Sequence, residues 1–233
     1  MVTFTGREGI ERVEFTSGEY LFDTAGKEFV MVLLAGELVA NGYLFTREDV
    51  FSQAAHGFYA ANDGYINVRV AKKAEVCLIE SQSDNQVPVS AIEGLVSPTK
   101  HPGRGNYSRK VVTLVDSESG LRDIIVGETF KDSGNWSSWP PHKHDTQIPG
   151  QESSQKEIYL YKFDKDDGFG IQIIYEGDIQ NAKKHLVLNN DQVKIERGYH
   201  PVVASPHSKM YYLWVLFGKN GFFKVKEDER FAS

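Results

Sequence analysis

Residues 134–144 read Gly-Asn-Trp-Ser-Ser-Trp-Pro-Pro-His-Lys-His. Side chains of a strand alternate faces. His142 and His144 therefore share one face, about 7 Å apart, and Lys143 points to the other. Two imidazoles so placed can close on one ion. A bare His-x-His is equally a pair of surface histidines, because the pattern is short. Three further features favour a metal. Glu157 opens the strand-like run Glu157-Ile158-Tyr159-Leu160-Tyr161, and it faces a neighbouring strand if 145–156 form a loop. His200 follows the turn Arg197-Gly198-Tyr199. Pro140-Pro141 stiffens the approach to the histidine pair. Three imidazoles and a carboxylate suit Zn, Mn, Fe, Ni or Co without choosing among them. On a six-coordinate ion they leave two positions for water or substrate, as an enzyme needs. Glu152, among Gly150, Gln151, Ser153 and Ser154, is the alternative carboxylate.

Other residues carry weaker signals. The guanidinium fork of Arg109 suits a substrate carboxylate or a surface ion pair equally. Lys143 reads as a solvated or inter-strand charge. Tyr159, Tyr161, Tyr199, Tyr211 and Tyr212 could line a site, but alternation allows about half of them to do so. Trp136 and Trp139 read as packing residues or, less simply, as a platform for a sugar ring. His101 and His185 read as surface residues, and His207 as a loop residue.

The elements positioning these groups are strands. Apolar stretches are short, β-branched and aromatic, as in Glu28–Leu34, Tyr65–Val70, Glu75–Ile79, Gly170–Tyr175 and Tyr211–Phe217. Gly, Asn and Asp cut them apart, which predicts an all-β sandwich or barrel. The turn-rich stretch from Val87-Pro88 to Asn106 reads as a connection between halves. Gly198-Tyr199-His200 followed by Val202-Val203-Ala204 resembles Gly64-Tyr65-Ile66 followed by Val68-Arg69-Val70, so one unit occurs twice. Ile66 then stands where His200 stands, and the first copy should bind no metal.

The order Gly, His-x-His, Glu, then Gly-x-His resembles the cupin superfamily, and more closely the bicupin family of 5-deoxyglucuronate isomerase. 5-Keto-4-deoxyuronate isomerase is a more distant relative. Gly103-Arg104-Gly105-Asn106 with Arg109, Gly127-Glu128, Trp136-Ser137-Ser138-Trp139-Pro140-Pro141-His142-Lys143-His144-Asp145, Glu157–Tyr161, Gly168-Phe169-Gly170, Gly198-Tyr199-His200-Pro201 and Tyr211-Tyr212-Leu213 carry the resemblance. It covers roughly residues 100–218, and the first hundred in outline. It implies an all-β bicupin with two barrel or jelly-roll domains in tandem. They would be a metal-free N-terminal barrel at 1–95, a linker region at 96–119 and a metal-bearing C-terminal barrel at 120–233. It implies one divalent ion on His142, His144, Glu157 and His200, with substrate contacts from Arg109, Tyr199 and Tyr212. The implied reaction converts 5-deoxy-D-glucuronate to 5-keto-2-deoxy-D-gluconate in inositol catabolism. An ion on the C1 carbonyl and C2 hydroxyl would stabilise the developing enediolate. The sequence does not identify the general base. Ile173, Trp214 and His207 stand where an arginine, a smaller polar residue and a glycine are expected, which bears on the substrate more than on the metal. A cupin dioxygenase and a non-catalytic sugar-binding cupin remain the alternatives.

Composition narrows the classes. A net charge of −6 argues against a nucleic-acid partner. No apolar run approaches the roughly 20 residues of a membrane span, and the N-terminus lacks a signal-peptide pattern. The single cysteine, Cys77, reads as a small core residue and fits a reducing cytoplasm. Only His56 precedes residue 100 and six histidines follow it, so metal chemistry belongs to the second half. The expected partner is a small sugar acid; oligomeric state is left open, a homo-oligomer included.

Overall fold

A computed structural model describes residues 8–93, 98–219 and 222–232. The first seven residues, on which the reading of the N-terminus rested, and residues 94–97 within the expected connection lie outside it. The all-β expectation holds: among the described residues every regular element is a strand except for three short 3-10 turns. No helix among the described residues is long and apolar enough to cross a membrane.

The chain divides into two compact units. The first holds residues 1–97 and 114–125, and the second 98–113 and 126–233. The stretch 96–119 is therefore not a plain linker. It contains the strand Lys110–Val115, and the chain contributes 114–125 to the first unit before returning. Val87–Glu93 also forms a strand, pairing with His56–Ala61 at a sheet edge. An edge strand tolerates Pro88, because its missing N–H need not serve a second neighbour.

In the first unit, three long strands, Glu8–Asp23, Lys27–Ala40 and Tyr65–Gln82, pair side by side. Irregularities in their register fall at Thr16/Gly18, Leu33/Ala35 and Gly36/Val39. Bulges of this kind bend long strands and increase their twist. Gly36 has φ +100°, and a Cβ there would stand 2.4 Å from the Lys73 carbonyl oxygen, so the bulge requires glycine. The core includes Phe15, Phe29, Met31, Phe58 and Ile66. Ile66 is fully buried there, and Cys77 is buried too. Glu28, also buried, accepts the backbone N–H groups of Arg122 and Asp123 and the Asn85 amide. These bonds explain why 114–125 belongs to the first unit.

In the second unit, one sheet orders Gln192–Ile195, Lys156–Phe163, Met210–Phe217, Ile124–Lys131 and Lys110–Val115. The other orders Lys183–Val187, Gly170–Ile174, Val202–Ala204 and Trp136–Ser137. One core joins them, with Tyr159, Tyr161, Phe163, Met210 and Tyr212 from the first sheet and Val187, Val202 and Ala204 from the second. Two sheets sharing their inner faces make a sandwich of the jelly-roll kind.

Candidate metal centre

Alternation along Lys156–Phe163 sends Glu157, Tyr159, Tyr161 and Phe163 to the interior. Glu157 begins that row and the aromatic rings fill the rest. His142 begins the short strand His142–Lys143, and His144 follows it. His200 enters from the turn before Val202–Ala204. Gly198 makes that turn at φ +93°, and a Cβ on it would stand 2.7 Å from the Tyr175 carbonyl oxygen.

His144, Glu157 and His200 come together, their ligand atoms all within 4.8 Å of one another and all three residues buried. His142 lies beside them, its ring centroid 4.9 Å from that of His200 and 6.4 Å from that of His144. Three of the four expected ligands thus come together, and His142 lies beside them at the more open edge.

The proton positions follow from the partners. Nδ1 of His144 meets the Gln155 carbonyl at 3.1 Å, Nδ1 of His200 the Gly198 carbonyl at 2.9 Å, and Nδ1 of His142 the Pro140 carbonyl at 3.3 Å. A carbonyl oxygen only accepts, so each Nδ1 carries a hydrogen and each neutral ring presents a lone pair at Nε2. Nε2 of His144 and Nε2 of His200 both stand 3.2 Å from Oε2 of Glu157. The His200 nitrogen makes no hydrogen bond there, although it is fully buried. Two lone-pair nitrogens around one carboxylate oxygen call for a positive charge between them, a proton or a metal ion. Backbone-anchored Nδ1–H groups are how metal-bound histidines are usually oriented. The residues fit a divalent metal.

The electrostatics agree. Burial pushes the Glu157 carboxyl up, but the contact with His144 and the nearby charges of His144 and His200 outweigh it and hold the group down at about 2. Burial, then the charges of His200 and His144, keeps the His142 imidazole well below its ordinary range. Burial opposes the charged form of His144 as well, but the Glu157 carboxylate overcomes it and raises the group.

A second network braces this cluster. Of the two readings for Lys143, the inter-strand charge fits: its Nζ pairs with Asp145 and, at 2.7 Å, with Glu152, on neighbouring strands. Glu152 is fully buried and also accepts the N–H groups of Asp145 and Thr146. The alternative carboxylate is thus engaged elsewhere. The other oxygen of Asp145 accepts the Gly198 N–H at 2.8 Å, joining the histidine strand to the turn that carries His200.

The expected substrate residues divide. Tyr212 is interior, its hydroxyl paired with Ser137 and its ring 4.5 Å from that of Tyr159, which lies 6.2 Å from His200. Arg109 donates to the carbonyls of Tyr107 and Trp139, and its charge acts on His142 and Tyr212. Tyr199 instead stacks on Tyr175 at 5.2 Å, and no contact described for it involves the ligand cluster. Trp136 and Trp139 pack on each other, and Trp139 packs on Phe231, only partly buried. His207 is exposed and meets Asp167. Sequence reasoning did not single out Lys131, which is buried in the second unit. It also missed Phe223, whose ring lies edge-on against His144 at 5.5 Å.

Comparison with known proteins agrees with this architecture. A curated 5-deoxy-glucuronate isomerase from Halalkalibacterium halodurans is 31% identical over 87% of this chain and 78% of its own length. One from Geobacillus kaustophilus is 32% identical over 88% and 77%. A crystal structure of an IolB-like protein from Salmonella typhimurium superposes with a TM-score of 0.88 at 26% identity, over 97% of this chain and 89% of that one. Oxalate decarboxylase from Lactobacillus farciminis shares the fold alone, with a TM-score of 0.61 at 12% identity over 95% of this chain and 80% of that one. The fold is an all-β bicupin. A profile described as the KduI/IolB family matches residues 6–233, and the chain belongs to that family.

Proposed function

We propose that this chain is a metal-dependent aldose–ketose isomerase of a sugar acid, converting 5-deoxy-D-glucuronate to 5-keto-2-deoxy-D-gluconate. Its curated relatives carry the name 5-deoxy-glucuronate isomerase. The observation that carries the metal dependence is the set of Nε2 lone pairs facing one ionised carboxylate, with the His200 nitrogen left without a hydrogen bond. His142, His144, His200 and Glu157 would hold the ion. A bound divalent ion supplies an electrophile for the carbonyl and hydroxyl oxygens on adjacent carbons.

The chain's own residues do the rest. The backbone carbonyls of Pro140, Gln155 and Gly198 fix the three imidazoles. The rings of Tyr159 and Tyr212 wall the interior beside them, their hydroxyls held by Ser138 and Ser137. Arg109 offers a cation to the acid end of the substrate. The net change moves the hydrogen on C2 to C1 and the hydroxyl proton from the C2 oxygen to the C1 oxygen, and neither consumes nor releases an electron. The test is anaerobic incubation of metal-loaded protein with 5-deoxyglucuronate in deuterated water, reading the ketose and the deuterium at C1. Turnover without oxygen or added cofactor is expected. Activity only with oxygen moves the chain to the dioxygenase reading, and no turnover of any aldose acid leaves the sugar-binding one.

A further inference from the structure

We propose that Lys131 and Arg109 together form a carboxylate-binding subsite inside the second unit, which takes the acid end of the ligand whose other end reaches the His–Glu cluster. The ligand class rests on the isomerase reading.

Lys131 ends the strand Ile124–Lys131 and is 3% exposed. Alternation sets it on the same face as Thr129, toward the ring of Tyr212, whose centroid is 5.9 Å from Nζ. Its one hydrogen bond goes to the Val202 carbonyl at 3.1 Å. An ammonium has three donors, and a buried charge needs an anion. No carboxylate among the described residues pairs with Lys131. The charge that does act on it belongs to Arg109, another cation, and with burial it drives the amine well below its ordinary range.

Arg109 is half-buried and equally without an acid. Both of its hydrogen bonds leave from Nη1 and end on backbone carbonyls, so Nε and Nη2 have no partner among the described residues. Its charge acts on both His142 and Lys131. Two basic groups that act on each other are each left without a paired acid among the described residues, in the unit that holds a cluster fit for a metal. A carboxylate arriving there supplies the missing counter-charge and restores the charged form of Lys131.

A merely structural Lys131, tying its strand to Val202, would affect stability and not ligand charge. The experiment therefore compares two ligands that cannot isomerise: the C1-reduced alditol of 5-deoxyglucuronate and its C6 amide. Titration calorimetry on metal-loaded protein should show the acid binding about 10–100-fold tighter than the amide. Lys131→Met should cut that ratio at least tenfold, and Lys131→Arg should keep it. Lys131→Gln, which retains a donor for Val202, should behave as Lys131→Met does. Metal content and Tm establish that the variants fold; if none does, the wild-type ratio decides. Equal affinity for acid and amide, no binding of either, or an unchanged ratio in folded Lys131→Met and Lys131→Gln overturns the subsite. Turnover of the aldose acid judges the isomerase reading separately.

Discussion

At the scale of single residues, Glu157 decides what the cluster can hold. Its carboxyl is down at about 2, against an ordinary value of 4.5, so it is ionised across the neutral and mildly acid range. A depressed carboxyl stabilises the fold above its unfolded value, and that contribution is lost as pH falls through the folded one. In metal-free protein the window therefore runs from about 4.5 down to about 2. A bound ion would be expected to leave at a higher pH than that, as the imidazoles protonate. Glu157→Gln keeps the shape and removes the charge. We expect metal affinity to fall by at least tenfold, turnover to vanish and the circular dichroism spectrum to persist. Unchanged metal binding in Glu157→Gln, measured by chelator competition, would remove Glu157 from the ligand set. The His-x-His, Glu157 and Gly-x-His were legible in the sequence, because strand alternation and turn residues carry local information. Lys131 and Glu28 were not, because their partners are backbone groups far along the chain: Val202 for the one, Arg122 and Asp123 for the other.

At the scale of elements, Trp214 explains itself through its neighbour. It stands in Met210–Phe217, where a smaller polar residue was expected from the resemblance. A Cβ on Gly127 would come within 2.1 Å of its indole and 2.6 Å of the Val112 carbonyl oxygen. The glycine is what admits the large ring between adjoining strands. Gly127→Val should therefore destabilise by about 2–3 kcal/mol, as overpacking does, read as a lower denaturant midpoint. Adding Trp214→Leu should recover part of the loss and not all of it, because the Val112 carbonyl stays in place. Strict additivity in this double-mutant cycle would mean that the two positions do not meet. Strand identity was readable from β-branched and aromatic runs, including the inward row that starts at Glu157. Val87–Glu93 was read as connection because of Pro88, and single-strand patterns do not reveal whether a strand lies at an edge.

At the scale of the whole molecule, one fold is used twice, and the proposed chemistry would sit in the second copy. Histidine usage pointed to the second half, and the second unit carries a His/Glu group fit for an ion. In the first unit, His56 turns its Nδ1 to the Thr46 carbonyl at 2.6 Å, and Ile66 is packed into the core among phenylalanines. The boundary was harder to read. The insertion of 114–125 into the first unit depends on a buried carboxylate catching two backbone N–H groups over 90 residues away, which no local pattern announces. The division makes a quantitative expectation. Protein purified without chelator should carry about one divalent ion per chain, since one set of nitrogen and oxygen ligands is built to hold it. His200→Ala removes a buried ligand with no substitute nearby and should bring the count close to zero. His142→Ala removes the ligand at the open edge, where water can enter, and should weaken binding less. Elemental analysis of the three proteins, after equal dialysis, decides the matter. A full ion retained in His200→Ala, or one traced to the first unit, would mean that the cluster is not the metal site.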